Sequence, residues 1–279
     1  MKVKRFSKVR ILLILILCAV FAVSAYMAVS QLLREKKEDD AFADLITKVD
    51  TDRQTGTQSA EEDYVDPEPE SEPEAPSEQT QPEQVMLAAY ASLFEQNSDL
   101  FGWIEIEDTK LNYPVMHTPD DPEFYLHRAF DGSSSNSGVP FLDARCFEGC
   151  GNYLVYGHHM KNGTMFAVIT SYAKESFWKE HPIIRFDTLY ETAEYEVIAA
   201  FYSKVYSVDE NGAFRYYEYA DLSDPERFAE YIGQVKEAAI YNTGTEAGYG
   251  DQLLTLSTCE YHTEDGRFVV VARKVRNGG

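Results

Sequence analysis

The feature that most constrains this chain is a pair of short apolar runs near its C-terminus. Asp251 to Cys259 (DQLLTLSTC) and Arg267 to Arg273 (RFVVVAR) both read as strands, and Asp265-Gly266 between them is a turn signal. The simplest arrangement is an antiparallel pair, in which the end of the first strand lies beside the start of the second. Cys259 and Arg267 are therefore expected at one edge of one sheet, a thiol next to a permanent cation. A core thiol beside a solvated strand arginine satisfies the same spacing.

The rest of the chain divides by composition. Residues 1–10 carry Lys2, Lys4, Arg5, Lys8 and Arg10 and no acid, which fits a cytoplasmic basic tail. Residues 11–30 form an uncharged apolar run of membrane-spanning length, expected to orient with its N-terminus inside. Val23-Ser24-Ala25 also resembles a signal cleavage site, so a removed leader competes with a retained anchor. Both put the remainder outside the cytoplasm.

Residues 31–82 are expected to be an acidic, Pro-rich disordered linker. Between Glu61 and Glu83 lie ten acidic residues, five prolines and no Lys or Arg, too little apolar surface to offset ordering entropy. Flexible-chain scaling gives such a tether a reach on the order of 40 Å. It supplies much of the net charge of −22, which argues against nucleic-acid binding. The folded unit is expected over 83–279.

Within it, Pro82 to Asn97 has apolar residues at helical spacing. Short strands follow at Trp103–Ile106, Leu111–Val115, Val139–Leu142 and Asn152–Tyr156, the last running into Gly157-His158-His159-Met160. Tyr125 to Phe130 is too short to assign. A helical pattern covers Met165 to Lys179, β character returns at Ile183–Phe186 and Tyr195–Val205, and Asp221 to Pro225 starts another helix before the Cys259 strand. About eight short strands with helices in the loops predict a mainly β fold, a small β-barrel.

At an ordinary pKa of about 8.5 only about 3% of a cysteine is thiolate at pH 7, so a working Cys259 needs a base and a cation. Arg267 can supply the cation and hold an oxyanion. His158 and His159, just past a strand end, are candidates for the base, with His262 a rival on the turn; His117, His127 and His181 have nothing to single them out. Cys18 lies in the apolar run. Cys146 and Cys150 form a C-x3-C pair for which a disulfide, an incidental unbridged pair and, with His158 and His159, a zinc set of unfamiliar spacing all stay open.

Together, Thr255-Leu256-Ser257-Thr258-Cys259, Arg267 to Ala272 and Tyr156-Gly157-His158-His159-Met160 resemble the sortases, specifically class B. Asp99 to Ile104, Tyr113-Pro114-Val115 and Phe141-Leu142-Asp143 add to the likeness, as does the helix at 224–240. The resemblance covers about 83–275 and implies an eight-stranded sortase β-barrel with an N-terminal helix and helices in its loops. It implies a membrane-anchored cysteine transpeptidase of a Gram-positive-type surface, without metal or cofactor.

In that family the first histidine after the glycine is catalytic, here His158, acting with Cys259 and Arg267. Leu256, Ser257 and Thr258 are the expected substrate-lining residues. The implied partners are secreted proteins with a sorting motif, and a peptidoglycan precursor or pilin lysine as amine. A hydrolytic cysteine protease and an exported binding or sensor domain are the competing functions. The Cys146–Cys150 pair is not part of the family pattern.

Overall fold

The computed structural model describes residues 8–61, 84–259 and 263–276. His262, the rival base, lies outside the described residues. Helix α1, Lys8–Glu61, passes through Leu45, where the chain divides into two compact units, Met1–Leu45 and Ile46–Gly279. The described part of the first unit is helix alone. By length and composition α1 contains a segment able to cross a membrane.

The linker expected from residue 31 does not begin there, because α1 continues to Glu61. The physical reason is visible in composition: Pro67 is the first proline of the chain, and the residues after 30 are rich in Leu, Ala, Glu, Lys and Arg, which favour helix. The second unit accordingly starts at Ile46 rather than near 83. Val49 is buried, and Arg53, one turn further on, reaches Tyr90 and Asp187. Asp52 accepts from Ser92 at 2.7 Å, and Lys48 donates to Gln96 at 3.1 Å. Part of the presumed tether is thus built into the folded unit.

Helix α2, Ala88–Gln96, is the expected N-terminal helix; its buried stripe is Ala89, Tyr90 and Leu93. Eight strands follow: β1 Leu100–Glu105, β2 Asn112–Met116, β3 Phe141–Leu142, β4 Asn152–Tyr156, β5 Ile183–Thr188, β6 Glu194–Lys204, β7 Leu253–Cys259 and β8 Gly266–Lys274. They close into a barrel in the order β1-β2-β3-β4-β7-β8-β6-β5, as the sequence pattern predicts. β5 pairs back on β1, which leaves no open edge among these strands. Buried Leu, Val, Phe and Tyr side chains fill the interior, including Phe186, Leu254, Leu256, Phe268 and Val270.

The expected helix over 165–179 resolves into a 3-10 segment, Phe166–Ala173, and a short α3, Glu175–Glu180. Helix α4, Pro225–Ala238, sits in the β6–β7 connection with Asp224 as N-cap, its carboxylate accepting from Arg227 N at 2.8 Å. Its Tyr231 hydroxyl lies 2.7 Å from Thr255 Oγ1, and Thr255 in turn donates to Asn152 at 2.8 Å. That chain of hydrogen bonds ties α4 to β7 and β4, the two strands that carry the site.

Candidate active site

Two strand registers decide which side chains meet. β7 and β8 are antiparallel with Cys259 opposite Arg267, as the turn between them predicts. β4 and β7 are parallel neighbours, with Tyr156 opposite Ser257. Two residues beyond each of these stand His158 and Cys259, so both emerge from the same end of adjacent strands. The linear sequence shows two separate strand ends; only the barrel order makes them neighbours.

The junction is tied from several sides. Gly157 N donates to Ser257 O at 3.2 Å, and Thr258 Oγ1 donates to Gly157 O at 2.7 Å. Residue 157 has to be glycine, since a Cβ there would stand 2.5 Å from Cγ of the buried Phe166. Phe166 N donates to His158 O at 2.9 Å, fixing the main chain just where the imidazole departs. His159 turns away from its neighbour, and its Nδ1 donates to the main-chain carbonyl of Cys259 at 3.0 Å. The second histidine therefore braces the cysteine backbone.

A groove of about 570 Å³ opens at this edge, and Cys259, His158, Arg267, Ser257 and Thr258 all line it. Cys259 is half-buried and a free thiol. Arg267 Nη1 donates to the turn carbonyls of Asp265 and Gly266, at 3.2 and 2.9 Å. Nη1 is thus the anchored arm of the guanidinium, and among the described residues Nε and Nη2 make no hydrogen bond. Tyr216, from the 3-10 segment Tyr216–Glu218, stands 2.7 Å from Ser257 Oγ and closes the floor.

His158 Nε2 lies 2.8 Å from the carbonyl of Leu126. A carbonyl only accepts, so Nε2 carries the hydrogen and Nδ1 is the nitrogen whose proton changes. Burial holds the imidazole below its ordinary value, with the neighbouring His127 ring adding to the shift and the Leu126 carbonyl opposing it. The resting ring is thereby biased toward the neutral form. At the far end of the groove, burial alone would raise the Asp143 carboxyl, but the Arg145 fork donating to it at 2.8 Å wins and holds it low. Arg145 also donates to Tyr217 O, linking the β3–β4 loop to the Tyr216–Glu218 segment.

One sequence expectation needs correction, and the open question of the Cys146–Cys150 pair has an answer. Leu256 was expected beside the substrate, but strand alternation turns it into the barrel, where it is fully buried and does not line the groove. Cys146 and Cys150 are free, buried thiols. Both donate to the carbonyl of Asn152 at 3.3 Å, so the loop closes around a shared acceptor without a bridge. Sequence reasoning missed Leu126, His127, Asp143 and Arg145 as parts of the site. Phe141-Leu142-Asp143 carried a family signal for Asp143; the segment around His127 was too short to carry any.

The closed barrel thus brings a thiol, an imidazole and a guanidinium to one groove. The sortase-domain family model matches residues 104–275, and the chain belongs to the sortase family. It is 31% identical over 191 residues to Sortase B of Staphylococcus aureus (strain NCTC 8325 / PS 47), covering 67% of this chain and 75% of that protein. To Sortase B of Listeria monocytogenes serovar 1/2a it is 30% identical over 183 residues, covering 64% and 71%. Among solved structures, a Staphylococcus aureus sortase B–substrate complex is similar with a TM-score of 0.68 and 26% identity, over 88% of this chain and all of that one. The relatives and the barrel make it a class B sortase-type cysteine transpeptidase.

Proposed function

We propose that the protein cleaves a C-terminal sorting motif after a Thr residue and transfers the upstream protein to an amine, with Cys259 as nucleophile. The observation that carries this reading is the double register that converges His158, Cys259 and Arg267 on one groove. His158 takes the thiol proton, and Cys259 Sγ bonds to the Thr carbonyl carbon. Arg267 holds the oxyanion of the tetrahedral intermediate through its remaining donors. The Thr C–N bond then breaks, and His158 protonates the leaving amine, leaving a thioester on Cys259. An incoming amine gives a proton to His158, forms the new amide bond and expels the thiolate.

Ser257 and Thr258, in the groove wall, position the peptide rather than react, because both hydroxyls are already committed to Tyr216 and Gly157. The acceptor is the amine of a peptidoglycan precursor or a pilin lysine. Residues 11–30 anchor the protein in the cell membrane as a single span, with the basic tail in the cytoplasm and the barrel outside. The acidic, Pro-rich part of the expected linker, from residue 62 on, lies outside the described residues.

The test is to incubate the chain from Ile46 with a panel of Thr-containing sorting-motif peptides and read intact mass. An acyl adduct on Cys259, absent in Cys259→Ala and discharged faster by added amine, is the expected result. Turnover that survives Cys259→Ala, or product that is only hydrolysed whatever amine is added, defeats the proposal.

A further inference from the structure

The His158 ring is held from a part of the chain with no strand or helix signal of its own. Phe124–His127 forms one 3-10 turn between β2 and β3, and two consecutive residues of it meet the imidazole. Leu126 supplies the carbonyl on Nε2, and the His127 ring stacks on the His158 ring, with centroids 5.6 Å apart and planes 27° from parallel.

The turn is rigid. Tyr125 is buried, donates its hydroxyl to Asp99 at 2.8 Å and accepts from Asn97 at 2.7 Å. The carbonyls of Tyr125 and His127 are taken by Val139 N and Ser135 N, both at 3.1 Å. Gly138, at φ +60, would bring any Cβ within 2.6 Å of the Leu126 carbonyl oxygen, so glycine there keeps that oxygen clear for His158. A hydrogen bond alone leaves an imidazole free to swing about the Nε2 contact. A ring laid against its face removes that freedom.

We propose that His127 is a positioning residue for the transfer reaction: its stacked ring holds His158 with Nε2 on the Leu126 carbonyl and Nδ1 as the nitrogen that takes and gives the proton. This rests on His158 being the acid–base group. It assigns His127 no proton of its own to move. What it supplies is a flat surface at a fixed distance, so another flat ring serves in its place.

The proposal is tested on the full chain in detergent, with the Thr-containing peptide that forms the Cys259 adduct and a glycine oligomer as amine. His127→Ala is expected to lower kcat about tenfold with KM for the peptide changed less than about twofold, because the ring orientation matters in the transition state and not in peptide binding. His127→Phe, which keeps the stack and removes both ring nitrogens, is expected to restore most of that loss. His127 is exposed, so thermal midpoints are expected to match across the series.

With 15N-labelled histidine, His158 should show the single tautomer protonated at Nε2, and His127→Ala should show a mixture. Unchanged turnover in His127→Ala, a Phe variant no better than Ala, or a His158 tautomer indifferent to His127 each overturns the proposal. If instead His158→Ala keeps full turnover, it is the acid–base assignment that fails, and the nitrogen spectra still report whether His127 orients the ring.

Discussion

Two clusters of ionisable side chains sit on this barrel, and they are finished to different degrees. On the β1–β5 side, Asp187 is fully buried and surrounded by donors: Tyr90 at 2.5 Å, Arg53 at 3.2 Å and Arg185 at 3.1 Å. Burial, and then the carboxylate beside it, push the Tyr90 phenol well above its usual range, so it stays a donor at any working pH. At the C-terminal ends of β4 and β7, by contrast, Arg267 is anchored by one arm, His158 by one nitrogen, and Cys259 lies half-exposed in a groove. A saturated cluster stabilises the fold. An unsaturated one keeps bonding capacity for a substrate.

The sharpest way to break that comparison is to exchange the expected phenotypes. Cys259→Ala should abolish turnover, and His158→Ala and Arg267→Ala should each lower kcat/KM by about a thousandfold or more. Urea midpoints of all three should stay close to the parent, since little bonding is lost from the folded state. Asp187→Ala should do the opposite. Removing the buried carboxylate that Tyr90, Arg53 and Arg185 share costs about 3–5 kcal/mol, which urea unfolding of the chain from Ile46 would read. Turnover per folded molecule should be unaffected. A stable but inactive Asp187 variant would mean that this cluster serves the reaction as well.

Acid should separate two half-buried histidines from the saturated cluster with a smaller effect. Burial lowers the imidazoles of both His117 and His158 from their ordinary value of 6.5. The unfolded chain then binds protons more readily than the folded one, so their contribution is present above about pH 6.5 and lost as pH falls toward the lowered values. Thermal midpoints followed from pH 7 to pH 5 should therefore fall. His117 Nε2 has no hydrogen-bond partner among the described residues, so His117→Phe should flatten that slope without touching turnover. A slope unchanged in His117→Phe and His158→Ala alike would place the acid sensitivity elsewhere.

How far the sequence reveals these two clusters follows from how local their signals are. Cys259 and Arg267 were legible because a short turn makes their strands antiparallel, and the turn is written in adjacent residues. The barrel followed from the number and spacing of apolar runs. The meeting of His158 with Cys259 was not legible in the residues alone, since the parallel pairing of β4 with β7 joins segments about a hundred residues apart with α4 between them. The family resemblance supplied it instead. Arg53 was hidden for another reason: compositional bias beyond Glu61 colours the whole stretch as a linker, although the residues before it favour helix and one face of that helix is buried. His127 carries its geometry in a single 3-10 turn, too short for any periodicity to mark.

The smallest effect tests whether the site's own braces belong to the saturated class. His159 differs from His158 in having Nδ1 committed to the Cys259 carbonyl, a main-chain contact that no reacting group needs to leave. Its loss removes one hydrogen bond at the end of β7, while Thr258 to Gly157 and Gly157 to Ser257 still hold the same junction. His159→Ala should therefore cost about five- to tenfold in kcat, corresponding to one net hydrogen bond. His159→Asn, whose amide N–H can take the place of Nδ1–H, should recover most of it. His159→Gln, with its donor one carbon further out, should not. A loss as deep as that of His158→Ala would mean that the two imidazoles share the proton chemistry, and that the division between braced and reacting groups does not hold within this site.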